Sequence, residues 1–116
     1  MEFYGYKKCS TCRNAHKYLA ERNHRVEFQD FVANPPSREQ LQRWIELKGE
    51  GVLPFLNQKG TRFRELGLKD KSLSDGEWLN LLCADGKLLK RPVLIAGNDV
   101  VVGFDKARYD ELLARL

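Results

Sequence analysis

Several features that define common protein classes are scarce or missing in this chain of 116 residues. Only three cysteines are present, and this small, odd number cannot build a disulfide scaffold, so we expect a reducing, cytoplasmic environment. No apolar run approaches the roughly 18–20 residues of a membrane helix. No apolar stretch with a cleavage site follows Met1 either, so neither a membrane span nor a secretory signal is expected.

The composition that remains is that of a globular protein, with 42% hydrophobic and 31% charged residues. Its length fits a single domain over residues 1–116 and excludes a second one. Residues 1–58 hold 9 basic and 7 acidic side chains and residues 59–116 hold 11 and 9, so each half carries +2. Because no basic tail or arm is present, we expect no direct contact with nucleic acid. We also expect a monomer.

The first thirty residues predict a β-α-β unit. Residues 2–6 are short and aromatic, which is typical of a strand, and the apolar side chains of residues 10–23 recur at helical spacing. Ser10 or Thr11 could cap this helix. Residues 25–31 alternate apolar and polar side chains, which indicates a second strand.

The rest of the chain adds two capped helices, a hairpin and a last helix. Capping boxes at 37–40 and 74–77 open helices that bury Trp44 and Trp78, and residues 50–73 between these helices predict short turns. Two strands at 93–96 and 100–102 flank a turn. The helix from Asp105 places four apolar residues on one face: Tyr109, Leu112, Leu113 and Leu116.

This order of elements predicts a thioredoxin-type α/β fold with a four-stranded mixed sheet. The pair Cys9-x-x-Cys12 falls where the first strand meets the first helix, and a CxxC beside a β-α-β unit is the redox signature of that fold. Zinc binding and chance remain as alternatives. The further zinc ligands would be His16, His24 and Cys83, which are scattered, and Cys83 fits a buried apolar position better.

The position of the two thiols predicts their roles. Cys9 precedes a helix, where unpaired N–H groups and the helix dipole favour a thiolate, and Lys8 and Arg13 add positive charge. Cys12 lies one turn later and is expected to be covered. We therefore expect Cys9 to be the nucleophile and Cys12 the resolving thiol.

Two further features allow more than one interpretation. Arg91-Pro92 immediately precedes the third strand, and its proline is either an ordinary strand start or a cis residue that presents Arg91 to an anion beside Cys9. The basic residues Lys59, Arg62 and Arg64 form either a solvated face or a partner surface.

Four ordered motifs give the chain a family resemblance: CSTCRN at 9–14, RELGLKD at 64–70, LKRPVLI at 89–95 and VVVGFD at 100–105. With these motifs the chain resembles the arsenate reductase (ArsC) family in the broad sense, which includes Spx/MgsR-like regulators and YffB-like proteins. The resemblance implies a thioredoxin-like fold with a helical insertion over about 37–88. We expect no bound cofactor and consider glutathione as a co-substrate.

The resemblance implies roles for some residues of this chain, whereas other positions lack the residue that the reductases carry. Cys9 matches the catalytic cysteine of the glutaredoxin-linked reductases, Arg91 matches an arginine that contacts the oxyanion, and Pro92 matches the adjoining proline. Asn57 and Phe104 fall where those enzymes carry two more oxyanion arginines. Since one arginine in place of three compensates poorly for desolvating an oxyanion, we expect weak arsenate binding.

Three functions follow as hypotheses. The first is a thiol–disulfide oxidoreductase regenerated by glutathione or by a thioredoxin- or glutaredoxin-type donor. The second is a redox-switched regulator that binds the C-terminal domain of the RNA polymerase α subunit. The CxxC and the aromatic residue Phe104 resemble the Spx/MgsR branch of the family, which implies this function. The third is a housekeeping or structural member whose thiol site is vestigial.

Overall fold

The computed structural model describes residues 1–116 as four β-strands and five α-helices. In chain order these are β1 (Glu2–Gly5), α1 (Ser10–Glu21), β2 (Phe28–Asp30), α2 (Arg38–Lys48), α3 (Thr61–Glu65), α4 (Asp75–Ala84), β3 (Val93–Ala96), β4 (Asp99–Val102) and α5 (Lys106–Ala114). Short 3₁₀ turns occur at Leu53–Phe55, Leu68–Asp70 and Gly86–Leu88. None of the helices combines the length and apolarity needed to span a bilayer.

The strands form one sheet in the order β2-β1-β3-β4. β1 runs parallel to β2 through the crossover helix α1 and antiparallel to β3, which pairs with β4 in a hairpin. At the centre of this register Phe3 lies opposite both Phe28 and Leu94. The prediction of a thioredoxin-like fold with a four-stranded mixed sheet is therefore confirmed.

Side chains alternate between the two faces of the sheet and build two apolar clusters. Phe3 and Leu94 belong to a cluster of 8 buried residues that includes side chains of α1 and α5. Tyr4 belongs to a cluster of 17 that packs beneath the helices between β2 and β3. Trp44 and Trp78 lie in this larger cluster, as predicted, at 3% and 7% exposure.

The helix caps differ in part from the predicted ones. Neither Ser10 nor Thr11 caps α1, because its N-cap residue is Cys9. Ser37 caps α2, but Gln40 donates to the Tyr4 hydroxyl at 3.0 Å instead of closing the capping box. The box at Ser74 is complete. A polar side chain at the third helical position thus closes a box only when no tertiary partner competes for it.

Two predicted boundaries were wrong by a few residues, and two apolar positions are more exposed than expected. β2 spans three residues rather than 25–31, because its partner β1 is itself short and pairs with only three residues of β2. α1 ends at Glu21, just before Asn23 takes a positive φ of 67°. Leu116 is 66% exposed because it lies beyond the last turn of α5. Cys83 is only partly buried against the larger cluster.

The predicted turn between β3 and β4 is shorter than expected. Asp99 pairs with Ala96, which leaves a two-residue turn of Gly97 and Asn98. Gly97 has φ +60°, a conformation that glycine adopts without steric cost. The predicted basic run 59–64 lies in and before α3, where Arg62 forms ion pairs with Asp85 and Glu65.

Candidate active site

Cys9 lies at the mouth of α1, where the chain leaves β1 and turns into the helix. Its backbone is extended, with φ −92° and ψ 119°, and its N–H donates to the Tyr6 carbonyl at 2.9 Å. No oxygen-bearing side chain caps the helix, so the N–H groups of the first turn are left for the sulfur of Cys9. Cys9 is partly exposed and can therefore meet a substrate.

The surroundings of Cys9 favour its thiolate. Burial by itself raises the pKa of the Cys9 thiol, but hydrogen bonds from the backbone and the thiol of Cys12 outweigh it, together with the Arg91 guanidinium. The pKa therefore lies below the ordinary value of a cysteine, which increases the fraction of thiolate at neutral pH. The positive end of the α1 dipole acts in the same direction.

Cys12 lies near Cys9 but in a different environment. It is fully buried, and burial raises the pKa of its thiol to about 12, with the negative charge of Cys9 adding to the effect. The backbone N–H of Tyr6 donates to its sulfur at 3.5 Å and opposes the shift. The two thiols are thus a partly exposed group whose ionised form is favoured and a buried group that keeps its proton.

Gly5 makes room for the second thiol. A Cβ placed on Gly5 would lie 3.0 Å from the Cys12 sulfur and 3.1 Å from the Cys12 Cβ. The glycine at the end of β1 therefore lets α1 lie close to the sheet, with Cys12 against the bare backbone. This requirement concerns a tertiary contact, and the sequence carries no signal for it beyond the glycine itself.

Arg91 is the cation that acts on both thiols. Its guanidinium lowers the pKa of Cys9 and also that of Cys12. Nη1 donates to the Lys87 carbonyl at 3.1 Å, and the guanidinium carbon lies 5.3 Å from the centre of the Tyr6 ring. These contacts hold the positive charge beside the mouth of α1. The Arg91–Pro92 peptide bond is cis.

Lys8 and Arg13 do not take the place that the sequence suggested for them. Arg13 turns back along the surface, and its Nη1 donates to the Lys7 carbonyl at 2.9 Å. Lys8 and Arg13 are both exposed, and neither is among the groups that set the pKa of Cys9. Proximity in sequence misleads here because neighbours along the chain can extend into solvent, whereas Arg91 reaches the thiols from the segment just before β3.

The two positions at which the resemblance implied further arginines bring no charge to the site. Asn57 donates from its side chain to the Lys87 carbonyl at 3.4 Å and from its backbone to Leu88 at 2.8 Å. Phe104 packs against the rings of Tyr18 and Tyr109, with ring centres 5.3 and 5.1 Å apart. One arginine is therefore the cationic part of this site.

Asp30 supports the site from the end of β2, a role that was not predicted from the sequence. Its carboxylate accepts from the backbone N–H of Lys7 at 3.2 Å, and also from Val32 and Ala33 at 2.9 and 3.1 Å. These bonds outweigh burial and hold the pKa of Asp30 below its ordinary value. The carboxylate thus ties the loop before Cys9 to the adjacent strand. Asp30 falls inside the predicted strand 25–31, and nothing in the sequence singles it out.

The possible zinc ligands are not brought together. The His16 ring contacts Phe3 and Phe28, and its Nε2 is 2.7 Å from the Val26 carbonyl oxygen. No group of three or more His, Cys, Asp or Glu side chains in the chain is arranged to hold a metal ion. The arrangement around Cys9 and Cys12 instead suits chemistry of the thiols themselves.

Replacing Arg91 by methionine tests its electrostatic role. Removal of the cation raises the pKa of Cys9, so alkylation of Cys9 by iodoacetamide at pH 7 should slow by about threefold or more. The pH profile of alkylation should move to higher pH. The rates of the parent protein and the variant should converge at a pH at which Cys9 is ionised in both proteins. Arg91→Lys should keep most of the effect. Arg13→Met is the matched control, and an equal slowing there would contradict the assignment.

Fold and site together define a thioredoxin-fold protein with paired thiols at the start of its first helix. A model of the ArsC family matches residues 4–112, and the chain belongs to that family. YusI of Bacillus subtilis, described as uncharacterised, is 40% identical over 96% of both chains. The regulatory protein MgsR of the same organism is 31% identical over 90% of this chain and 83% of its own.

Solved structures agree with this assignment. A protein of Bacteroides fragilis related to the ArsC family superposes with a TM-score of 0.88 and 37% sequence identity. The alignment covers 95% of this chain and 94% of that one. The similarity therefore includes the helices between β2 and β3 as well as the sheet.

Proposed function

We propose that this chain is a cytosolic thiol–disulfide oxidoreductase in which Cys9 attacks and Cys12 resolves. The observation that carries the proposal is the pair of thiols with opposite pKa shifts beside a single arginine. A lowered pKa suits the attacking thiol, whereas the raised pKa of Cys12 keeps it protonated until Cys9 has reacted.

The reaction proceeds in two exchanges. The Cys9 thiolate attacks one sulfur of a substrate disulfide, forms a mixed disulfide and releases the first substrate thiolate. Cys12 then attacks the Cys9 sulfur, the bond between Cys9 and the substrate breaks, and the second thiol leaves with the proton. The substrate is reduced to two thiols and the protein is oxidised to the Cys9–Cys12 disulfide. Glutathione or a thioredoxin- or glutaredoxin-type donor would reduce it again.

Arg91 would also orient an anionic substrate, since a guanidinium binds a carboxylate or an oxyanion in a fixed geometry. A glutathione adduct carries such carboxylates. Arsenate is a poorer candidate, because Asn57 and Phe104 are uncharged. The Asn57 side chain already donates to the Lys87 carbonyl, and Phe104 packs against aromatic rings. The proposal is therefore a reductase of disulfides or glutathione adducts rather than an efficient arsenate reductase.

A Cys12→Ser variant tests the two-step scheme. Without a resolving thiol, exposure to glutathione disulfide should leave a stable adduct on Cys9, which intact-protein mass spectrometry detects as one added glutathione. The parent protein should instead form the Cys9–Cys12 disulfide, which lowers its mass by two hydrogens. Accumulation of the adduct on Cys12 in a Cys9→Ser variant, with none on Cys9 in Cys12→Ser, would reverse the two roles.

The similarity to MgsR over most of the chain supports a second candidate, a redox-switched regulator. In this case the Cys9–Cys12 pair is a sensor, and the partner is the C-terminal domain of the RNA polymerase α subunit. A pull-down with that domain, using reduced and oxidised protein, is to be run beside turnover assays with glutathione disulfide. Binding without turnover of any acceptor would contradict the enzyme, and turnover without binding would contradict the regulator.

A further inference from the structure

The hydroxyl of Tyr109 is the one buried side-chain polar atom in the structure that has no hydrogen-bond partner. Tyr109 is fully buried on α5, and its ring packs against those of Tyr18 and Phe104. Buried polar groups are nearly always paired, since an unpaired one loses its bonds to water without replacement. A phenylalanine would supply the same ring without this cost, so the hydroxyl calls for an explanation.

Cys12 lies in the same layer, between α1 and the sheet. It is fully buried one turn before Ala15, and Ala15 belongs with Tyr109 to the smaller apolar cluster. Burial raises the pKa of the Tyr109 phenol, and the negative charge of the Cys12 thiolate raises it further. The pKa of the phenol therefore lies above its ordinary value, which favours a phenol that keeps its proton when Cys12 is ionised.

We propose that Tyr109 is a positioning residue for the resolving thiol, and that its free O–H donates a hydrogen bond to the Cys12 sulfur when that sulfur becomes negatively charged. This inference rests on the proposed oxidoreductase function. Hydrogen bonds of this kind often form only as the reacting state is approached, which agrees with a hydroxyl that is unpaired while Cys12 is a neutral thiol.

Charge moves from one thiol to the other during the reaction. In the reduced protein the negative charge resides on Cys9, where Arg91 and the N–H groups of α1 stabilise it. Once Cys9 is bound in a mixed disulfide, its charge is gone and Cys12 must carry the charge instead. The groups that interact electrostatically with Cys12 are then the Tyr6 N–H, which donates to its sulfur at 3.5 Å, the Arg91 guanidinium and, from α5, the phenol of Tyr109.

The step balances without any further reactant. Cys12 forms a bond to the Cys9 sulfur, and the bond between Cys9 and the substrate sulfur breaks. The electron pair of that bond leaves on the substrate sulfur, which takes up the proton that Cys12 has lost. Tyr109 keeps its own proton throughout and lowers the energy of the charged sulfur that attacks.

The aromatic disulfide 5,5′-dithiobis(2-nitrobenzoate) measures the two steps separately in a Cys83→Ser background. Attack by Cys9 releases one coloured thiolate, and attack by Cys12 on the resulting mixed disulfide releases a second. In Tyr109→Phe the first release should keep its rate, whereas the second should slow by about tenfold, the effect of losing a hydrogen bond to a charged group. The pH profile of the second release should move to higher pH.

Tyr18→Phe is the matched control. Its ring packs against that of Tyr109, but its hydroxyl already donates a hydrogen bond to Asp110 at 2.6 Å. Both releases should be unaffected there. If the Tyr109 hydroxyl has no role, Tyr109→Phe should unfold at a higher temperature and keep the second release and its pH profile, which would overturn the inference. Absence of the first release from the Cys83→Ser protein itself would overturn the proposed function as well.

Discussion

Replacing Cys9 by serine should abolish disulfide exchange, lowering the initial rate by about a thousandfold or more. A serine hydroxyl does not ionise at neutral pH and does not exchange with disulfides. Cys12 cannot substitute for the lost nucleophile, because it is fully buried and its pKa is raised to about 12. The measurement is the initial rate of glutathione disulfide reduction by the reduced protein, followed by thiol loss.

Cys83→Ser is the matched control for that experiment. Cys83 is partly buried against the larger cluster, away from α1, and burial raises the pKa of its thiol. Its replacement should leave the exchange rate within about twofold, since a protonated, covered thiol reacts slowly. A Cys9→Ser protein that retains the parent rate would show that the reactive thiol lies elsewhere in the chain.

Gly86→Ala should produce the largest loss of stability among single substitutions of a small residue. A Cβ on Gly86 would lie 2.0 Å from the Phe31 carbonyl oxygen and 2.8 Å from its carbon. These are backbone atoms next to a fully buried ring, so they cannot move aside as the end of a flexible side chain could. We expect a loss of about 3 kcal/mol in the free energy of unfolding, measured by urea denaturation.

The same substitution should disturb the thiol site, because the turn at Gly86 carries the Lys87 carbonyl that holds Arg91. Gly76→Ala is the control, since its Cβ would come no closer than 3.4 Å, to the end of the Arg38 side chain. That variant should be neutral or slightly stabilised, as alanine favours the helix. Equal midpoints of unfolding for the two variants would contradict the steric argument.

The fold was largely predictable because its signals are local. Apolar side chains at helical and strand spacing identify the elements. The order of these elements along the chain predicts a thioredoxin-like sheet. The errors lie at the ends of elements, as in β2 and at Leu116, where pairing and packing partners decide how far an element continues. Gln40 shows the same effect, since Tyr4 takes it away from the predicted capping box.

The supporting groups of the site were not predictable in this way. Asp30, Gly86 and Tyr109 are each unremarkable in the sequence, and their roles arise from contacts with residues far along the chain. Lys8 and Arg13 show the opposite case. They are adjacent to the thiols in sequence, but both are exposed and Arg13 donates to the Lys7 carbonyl, so the cation that lowers the pKa of Cys9 is Arg91.

By itself the sequence determined that two thiols sit about one helical turn apart at the mouth of a helix, because Cys12 follows Cys9 by three positions directly after a strand. It also set their order, with Cys9 outside and Cys12 inside. Only the tertiary structure decided how differently the two ionise. Burial between α1 and the sheet raises the pKa of Cys12 to about 12, while the guanidinium arriving with β3 favours the Cys9 thiolate. Desolvation and charge act through space, and the distances that govern them exist only in the folded chain.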